Sequence, residues 1–407
     1  MAELGSKKGW TRVAFGDVVD RVVESGVPSL NQSRTYIGLE HLDSGSLSVR
    51  RWGSDVPLVV PKTRIRKGDV LFARRNTHLR RCAIAPFDGF FSPDGYAFRS
   101  RPSFLLQELL PYVVSTDQFM DYAVEHSAGT HSKRVKWSDL AHYEFDLPSI
   151  EKQAQIALRL AAIDDVVHAL RAGARLARHT TDALRAFLVK GEPTTADGAT
   201  SGRLPRRWRF EKLAGVVDGK YGLVDGPFGS NLKSVHYRSS GYPVLQSAFI
   251  ANGSFDPNAA SWAYVDEQKF REQSRSAVRG GDIAMVKVGV NCGASALLPD
   301  ELPVGILAGN CLKITPDRTV CNPRYLIHYL VWLRQAGHLE RHVTSTQQRA
   351  LTLGRLREQL IALPPLAEQD EIVDRIESCA GSEIALQNRA EEASTKMVRM
   401  REEWLKA

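Results

Sequence analysis

Leu147-Pro148-Ser149-Ile150-Glu151-Lys152-Gln153-Ala154-Gln155-Ile156 and, 216 residues later, Leu363-Pro364-Pro365-Leu366-Ala367-Glu368-Gln369-Asp370-Glu371-Ile372 open the two stretches that decide the fold. From Ile156, alternating steps of four and three land on Leu160, Ile163, Val167, Leu170, Ala174, Ala177, Thr181, Leu184 and Leu188. From Ile372 the same steps land on Ile376, Cys379, Glu383, Leu386, Ala390, Ala393, Met397, Met400 and Trp404. Nine of ten positions are apolar in each series. An a/d stripe sustained for nearly five heptads predicts a coiled-coil seam rather than an ordinary amphipathic helix. Each helix is expected to run for about 40 residues, or roughly 60 Å at 1.5 Å per residue. Residues 151–190 carry seven Lys+Arg against four Asp+Glu, whereas residues 367–407 carry six against ten. Opposite net charge favours pairing of the two helices with each other. An antiparallel arrangement follows if the globular parts obey a pseudo-twofold.

Outward from the helices, the chain repeats itself. Trp10-x4-Phe15-x2-Val18-Val19-Asp20 recurs as Trp208-x4-Leu213-x2-Val216-Val217-Asp218, at an offset of 198. Ile37-x4-Leu42-x2-Gly45-Ser46-Leu47 recurs from Leu245 at 208, and Gly68-Asp69-Val70 recurs as Gly281-Asp282-Ile283 at 213. The order is kept and the offset only grows, as in a duplicated unit whose second copy has gained loop residues. Each unit opens with short β-type runs, such as Val56–Val60 and Asp69–Ala73, punctuated by Gly-Asp and Pro-Asp-Gly turns. A helical stretch follows, near Leu105–Tyr122 in one copy and Pro323–Leu339 in the other. The reading is α+β: two pseudo-repeated domains separated by a pair of long antiparallel coiled-coil helices. The expected boundaries are 1–149, a first helix over 150–190, a polar Gly/Thr-rich linker over 191–207, a second domain over 208–364 and a second helix over 365–407.

Composition narrows the class. The chain has 407 residues, enough for several cores, and a net charge of +8 that favours an anionic partner. No stretch approaches the roughly 20 apolar residues of a membrane span, and no secretory leader is visible. Five cysteines without a Cys-x-x-Cys pair suggest reduced thiols, so a cytoplasmic location is expected.

Catalytic motifs are hard to find. Gly215–Lys220 is one residue short of a phosphate loop and no Ser/Thr follows its lysine. There is no Gly-x-Ser-x-Gly elbow and no amino-methyltransferase Asn-Pro-Pro-Tyr; Asn322-Pro323 is followed by Arg324. His126 with His131, and His338 with His342, are weak metal candidates. Asp266-Glu267-Gln268-Lys269 holds a Glu-x-Lys common by chance. A binder or scaffold is the stronger expectation.

The basic groups cluster in loops. Arg74-Arg75-Asn76-Thr77-His78-Leu79-Arg80-Arg81 follows the Asp69–Ala73 run directly. Guanidinium groups suit phosphate clamping and guanine edges, and an Asn amide suits adenine. Arg74, Arg75, Asn76, His78, Arg80 and Arg81 are therefore candidate DNA contacts, the alternative being a soluble basic loop. His131, Lys133, Arg134 and Lys136 form a second such loop, and Ser345, Thr346, Gln347, Gln348 and Arg349 are its counterpart. Ser230, Asn231 and Lys233, in Asp225–Lys233, either approach a phosphate backbone or form a tight turn. Lys287 and Asn291 complete the set.

Two α+β domains of about 150 residues, each followed by a heptad helix, with Leu-Pro-Pro-Leu-Ala-Glu-Gln opening the second (Leu363–Gln369), resemble the DNA specificity subunit of a Type I restriction–modification system. The first helix opening departs from the pattern, with Lys152 where Glu368 stands. Gly-Pro-Phe-Gly-Ser within Asp225–Lys233 also resembles these target recognition domains. The resemblance implies that each domain reads one half of a split double-stranded DNA target and that helix length fixes the unread spacer. It implies two modification subunits docking on the helices, with Pro148, Gln153, Pro364, Pro365, Glu368 and Gln369 as candidate partner contacts. Those subunits would carry the S-adenosylmethionine site and methylate adenine. Motor-nuclease restriction subunits can join them, and no cofactor is expected in this chain. Two rival readings are a DNA-modifying or DNA-cleaving enzyme with a divergent active site, and a coiled-coil scaffold recruiting only proteins.

Overall fold

The computed structural model describes residues 9–27, 35–53, 60–130, 132–189, 207–227, 229–344 and 349–405. The β-type run at residues 56–59 and nearly all of the expected linker lie outside them. Each heptad stretch is one unbroken helix, Ile150–Val189 and Leu366–Leu405, 40 residues apiece. Every seam position read from the heptads is buried or half-buried. Glu383, the charged exception, receives Arg178 Nε at 3.4 Å.

The chain divides into two compact units, Met1–Ala172 with Leu386–Ala407, and Gly173–Ala385. In the first, Ile156, Ala157 and Leu160 share one core with Met397, Trp404 and Leu405. In the second, Val189 shares a core with Ile372, Val373 and Ile376. The start of one helix meets the end of the other in both units, so the pairing is antiparallel.

Both globular domains are closed the same way. Thr11–Ala14 pairs antiparallel with Glu144–Leu147, the strand just before the first long helix. Arg209–Lys212 pairs antiparallel with Leu360–Leu363, just before the second. Inside lies a four-stranded antiparallel sheet, ordered Val19–Arg21, Tyr96–Ser100, Val70–Phe72, Cys82–Ile84 in the first domain. Its counterpart is ordered Leu223–Asp225, Cys311–Ile314, Ile283–Val286, Ser295–Leu297. A second sheet contains one parallel pair, Tyr36–Ile37 with Gly89–Phe91, and Tyr242–Leu245 with Gly305–Leu307. Its fourth strand sits on opposite edges: Ser25–Gly26 beside Lys62–Ile65 in one copy, Ala263–Val265 beside Tyr242–Leu245 in the other.

The expected helix near Leu105–Tyr122 breaks into Leu110–Val114 and Asp117–Glu125. Thr116 takes an extended conformation and its hydroxyl accepts from the Phe119 amide at 3.2 Å, starting a new helix where the old one ends. In the second copy Asn322 caps one continuous helix, Pro323–Gln335, with Pro323 in its first turn.

The glutamine of each helix opening locks its domain to its helix. The Gln153 side chain is 1% exposed; it donates to the Phe104 and Pro148 carbonyls and accepts from the Leu106 amide. Gln369, fully buried, donates to the Val320 and Pro364 carbonyls and accepts from the Asn322 amide. Every partner is displaced by the same 216 residues. The expectation that Gln153 and Gln369 face a partner subunit is therefore corrected: their hydrogen bonds are used internally. Pro148 and Pro364 are buried with them, while Pro365 is exposed and Glu368 accepts from the Trp208 indole at 2.8 Å.

Candidate nucleic-acid interface

In both domains a turn after the Gly-Asp strand is sewn to a two-stranded hairpin. The hairpins pair Ser127–Ala128 with Arg134–Val135, and Val343–Thr344 with Ala350–Leu351. In the first domain the Asn76 amide donates to the Lys133 carbonyl at 2.9 Å and the Val135 amide to the Arg74 carbonyl at 3.0 Å. In the second, the Gly289 amide donates to the Arg349 carbonyl at 2.9 Å and the Leu351 amide to the Lys287 carbonyl at 2.9 Å. The two ledges are one piece of backbone architecture made twice. Lys287 and Asn291 thus stand where Arg74 and His78 do, beside Arg349. In sequence nothing in Lys287–Cys292 looks like Arg74–Arg81.

Charge is distributed differently on the two ledges. In the first domain Asp94 gathers two of the arginines: Arg75 Nη1 at 3.0 Å and Arg134 Nη2 at 3.0 Å. Burial pushes the Asp94 carboxyl up, but the guanidinium groups of Arg75 and Arg134 outweigh it and hold its pKa below the usual range. Arg75 also donates to the Ser132 hydroxyl, which in turn donates to the Asn76 side chain. In the second domain Lys287 Nζ lies 3.0 Å from the Asp225 carboxylate, and those side chains are only 12% and 13% exposed. The anchoring acid has moved from the turn after Gly89–Phe91 to the end of the Leu223–Asp225 strand.

The basic run Arg74–Arg81 is less free than its sequence suggests. Arg74 donates to the Tyr96 hydroxyl at 3.0 Å and lies over that ring, 5.1 Å from its centroid. Arg80 pairs with Asp117 at 2.9 Å and with Asp121. Arg81 donates to the Leu39 carbonyl at 2.8 Å, and burial lowers its pKa. His78, Lys133 and Lys136 are exposed, with no side-chain partner among the described residues. Arg349 is paired with Glu340. Lys233 is exposed and its amide donates to the His236 ring at 3.0 Å. Ser230 and Asn231 belong to the 3-10 turn Gly229–Asn231. His131, Ser345, Thr346, Gln347 and Gln348 lie outside the described residues.

The weak catalytic candidates have structural work. His342 is buried against Gln359 at 2.7 Å, and His338 packs on Trp332. Asp266 caps the helix Glu267–Glu272 through the Lys269 amide at 2.9 Å. Among the described residues no group of three His, Cys, Asp or Glu is placed to hold a metal, and no helix is long and apolar enough to cross a membrane.

Two copies of one α+β domain, each with the same turn-and-hairpin ledge and each joined to one of a pair of antiparallel heptad helices, define a duplicated recognition module carried on a coiled coil. Residues 230–393 match the family described as the Type I restriction modification DNA specificity domain. The chain is similar to the Type I restriction enzyme EcoKI specificity subunit of Escherichia coli (strain K12), 22% identical over 322 residues. That match takes in 73% of this chain and spans 61% of the length of the relative. Among solved structures, a chain of the type I R-M system studied for complex assembly and conformational transition aligns at a TM-score of 0.61 and 22% identity, covering 97% of this chain and 95% of that one. The Type-I restriction-modification system S subunit from M. genitalium aligns at 0.59 and 13% identity, covering 100% and 98%. These two likenesses are of fold.

Proposed function

We propose that this chain is the DNA-reading subunit of a Type I restriction–modification complex and has no catalytic role of its own. Residues 1–149 and 208–364 would each read one half of a split DNA target, with 191–207 as the linker between the modules. The helices 150–190 and 365–407 would set the unread spacer and dock two modification subunits. S-adenosylmethionine would be bound by those subunits, which methylate adenine, and restriction subunits can join them. The observation that carries this reading is the duplicated ledge. Two equivalent hydrogen-bonded turns on two separate scaffolds suit a bipartite target, since phosphate contacts fix register while base contacts specify sequence. The exposed Lys133, Lys136 and Lys233 supply the salt-dependent part of binding.

Exchange of residues 208–363 for the matching domain of a related protein tests it. The methylated sequence of cells carrying the whole system should change in one half and stay intact in the other. A change in both halves, or in neither, would overturn the two-module account.

A further inference from the structure

The turns Asn76–Arg80 and Gly289–Gly293 are fixed at equivalent points. Each is closed by an amide-to-carbonyl bond of 3.0 Å, Leu79 to Asn76 and Cys292 to Gly289. Each is clamped at its base, Ala73 N–H to the Arg81 carbonyl at 3.0 Å and Val286 N–H to the Ala294 carbonyl at 2.7 Å. Each starts and ends on a positive φ, at Asn76 (56°) and Arg80 (46°), and at Gly289 (104°) and Gly293 (84°). A turn fixed at so many points presents its tip with little left to order on binding.

The tips differ. In the first domain Thr77 is turned inward to Ser127 at 2.7 Å, leaving His78 and Leu79 outside. In the second, Cys292 is turned inward to the Lys287 carbonyl at 3.0 Å, leaving Val290, 92% exposed, beside an exposed Asn291. Neither His78 nor Asn291 has a side-chain hydrogen-bond partner among the described residues. Around them Arg75, Arg80, Arg81 and Lys287 are all engaged within the chain. Among the exposed side chains of each turn, the uncommitted hydrogen-bonding groups are therefore at its tip.

An amide can donate to and accept from an adenine edge at once, and a valine covers a thymine methyl group. We propose that the turn tip is the specificity-determining element of each domain. Asn291 reads an adenine edge and Val290 a neighbouring thymine methyl in the half-site of the second domain. His78 holds the equivalent position in the first, its ring N–H directed at the acceptors of a guanine. This rests on the DNA-reading function proposed above.

The test is selection of bound sequences from a randomised DNA library by the assembled complex of this chain with its modification subunits. Asn291→Ala should lower discrimination at one adenine position by roughly tenfold to a hundredfold and leave the other half-site unchanged. Asn291→Asp should turn the preference at that position from adenine to cytosine, because a carboxylate accepts from the cytosine amino group. A folding defect could not produce that switch. Val290→Ala should weaken one thymine, and His78→Ala should relax only the other half-site. An unchanged preference with Asn291→Asp, or relaxation in both half-sites with Asn291→Ala, overturns the proposal. If the domain exchange moves one half-site while the tip variants do not, the tip assignment alone falls. If the exchange moves neither, the DNA-reading function falls with it.

Discussion

The two globular domains solve the same folding problem with different chemistry at three places. The first fills its core with aromatic rings, Phe15, Phe72, Phe98 and Phe119, meeting edge to face, tilted or stacked at 5.0–5.9 Å. At the corresponding positions in the second stand Leu213, Met285 and Ile314, with Tyr325 and Trp332 supplying bulk from the domain helix. The first hangs its ledge on Asp94, half in solvent; the second hangs it on a nearly buried Asp225–Lys287 pair. Where the second joins its long helix it uses ions, Arg324 with Glu377 and Asp374, and Asn322 with Asp370. At the matching sites 216 residues earlier the first has Glu108, Ala161, Leu158, Leu106 and Ala154. What survives the change is backbone: the strand register, the turn and the glutamine brace. Residues that satisfy main-chain groups are fixed by the fold, while residues that satisfy only one another can be replaced as sets.

That contrast can be broken by experiment. The largest effect is expected at the brace. Gln369→Ala orphans the Asn322 amide and the Val320 and Pro364 carbonyls, and should cost about 3–4 kcal/mol. Gln153→Ala should cost a similar amount in the other unit, and a denaturant titration of each that gave very different losses would end the equivalence. Next comes the anchoring acid. Asp225→Asn leaves Lys287 charged in a nearly buried site and should cost about 2–3 kcal/mol. Asp94→Asn frees two arginines that are already partly solvated and should cost below about 1 kcal/mol. Thermal unfolding ranks the two, and equal losses would refute the distinction.

A smaller difference is expected in the turns. Gly293→Ala forces a side chain onto a φ of 84°, with its Cβ 3.1 Å from Leu339 Cδ1, and should cost about 1–2 kcal/mol. Arg80→Gly relieves the same strain in the first domain but loses the exposed pairs to Asp117 and Asp121, so stability should barely move. The last effect is one of pH. Burial lowers the pKa of His328 from its ordinary 6.5 in spite of the Glu377 carboxylate 3.5 Å away. His328 and Arg324 in turn hold Glu377 at about 2. A depressed folded pKa means stability present at neutral pH and lost as pH falls, first below 6.5 through His328 and then below 4.5 through Glu377. Hydrogen exchange in Pro323–Gln335, corrected for intrinsic rates, should therefore quicken at pH 5 relative to pH 7.5. Tyr112 stands in place of His328 in Leu110–Val114, which should show no such change.

Much of this fold was legible because periodicity and repetition are carried by side-chain size. The heptads located every seam residue, and the growing offsets 198, 208, 213 and 216 each fall on strands paired alike in both copies. The ledge was legible only in part. The run Arg74–Arg81 was visible through its charge, whereas its counterpart Lys287–Cys292 has one cation and two uncharged tip residues. Their likeness resides in φ angles and amide hydrogen bonds, which different side chains can produce. Equally hidden was which arginines are engaged, since that depends on Asp94, Asp117 and Leu39, brought near by the fold from 19 to 42 residues away. The glutamines misled for the opposite reason: a motif shared by both helices looked like a surface for partners, and is an internal bolt.

Met397, Trp404 and Leu405 sit in the core of the first domain, although they belong to the last turns of the second helix. A chain emerging from the ribosome therefore cannot complete its first domain when residue 172 appears. It must wait for residues 173–385 and then for the final helix, roughly 10–50 s at about 5–20 residues per second. During that interval Ile156, Ala157 and Leu160 have no partner from the other helix, and the nascent chain presents an uncovered apolar stripe. Such a chain is a natural client for a holding chaperone, and one that stops short of Leu386 leaves its first domain unfinished as well as its second helix.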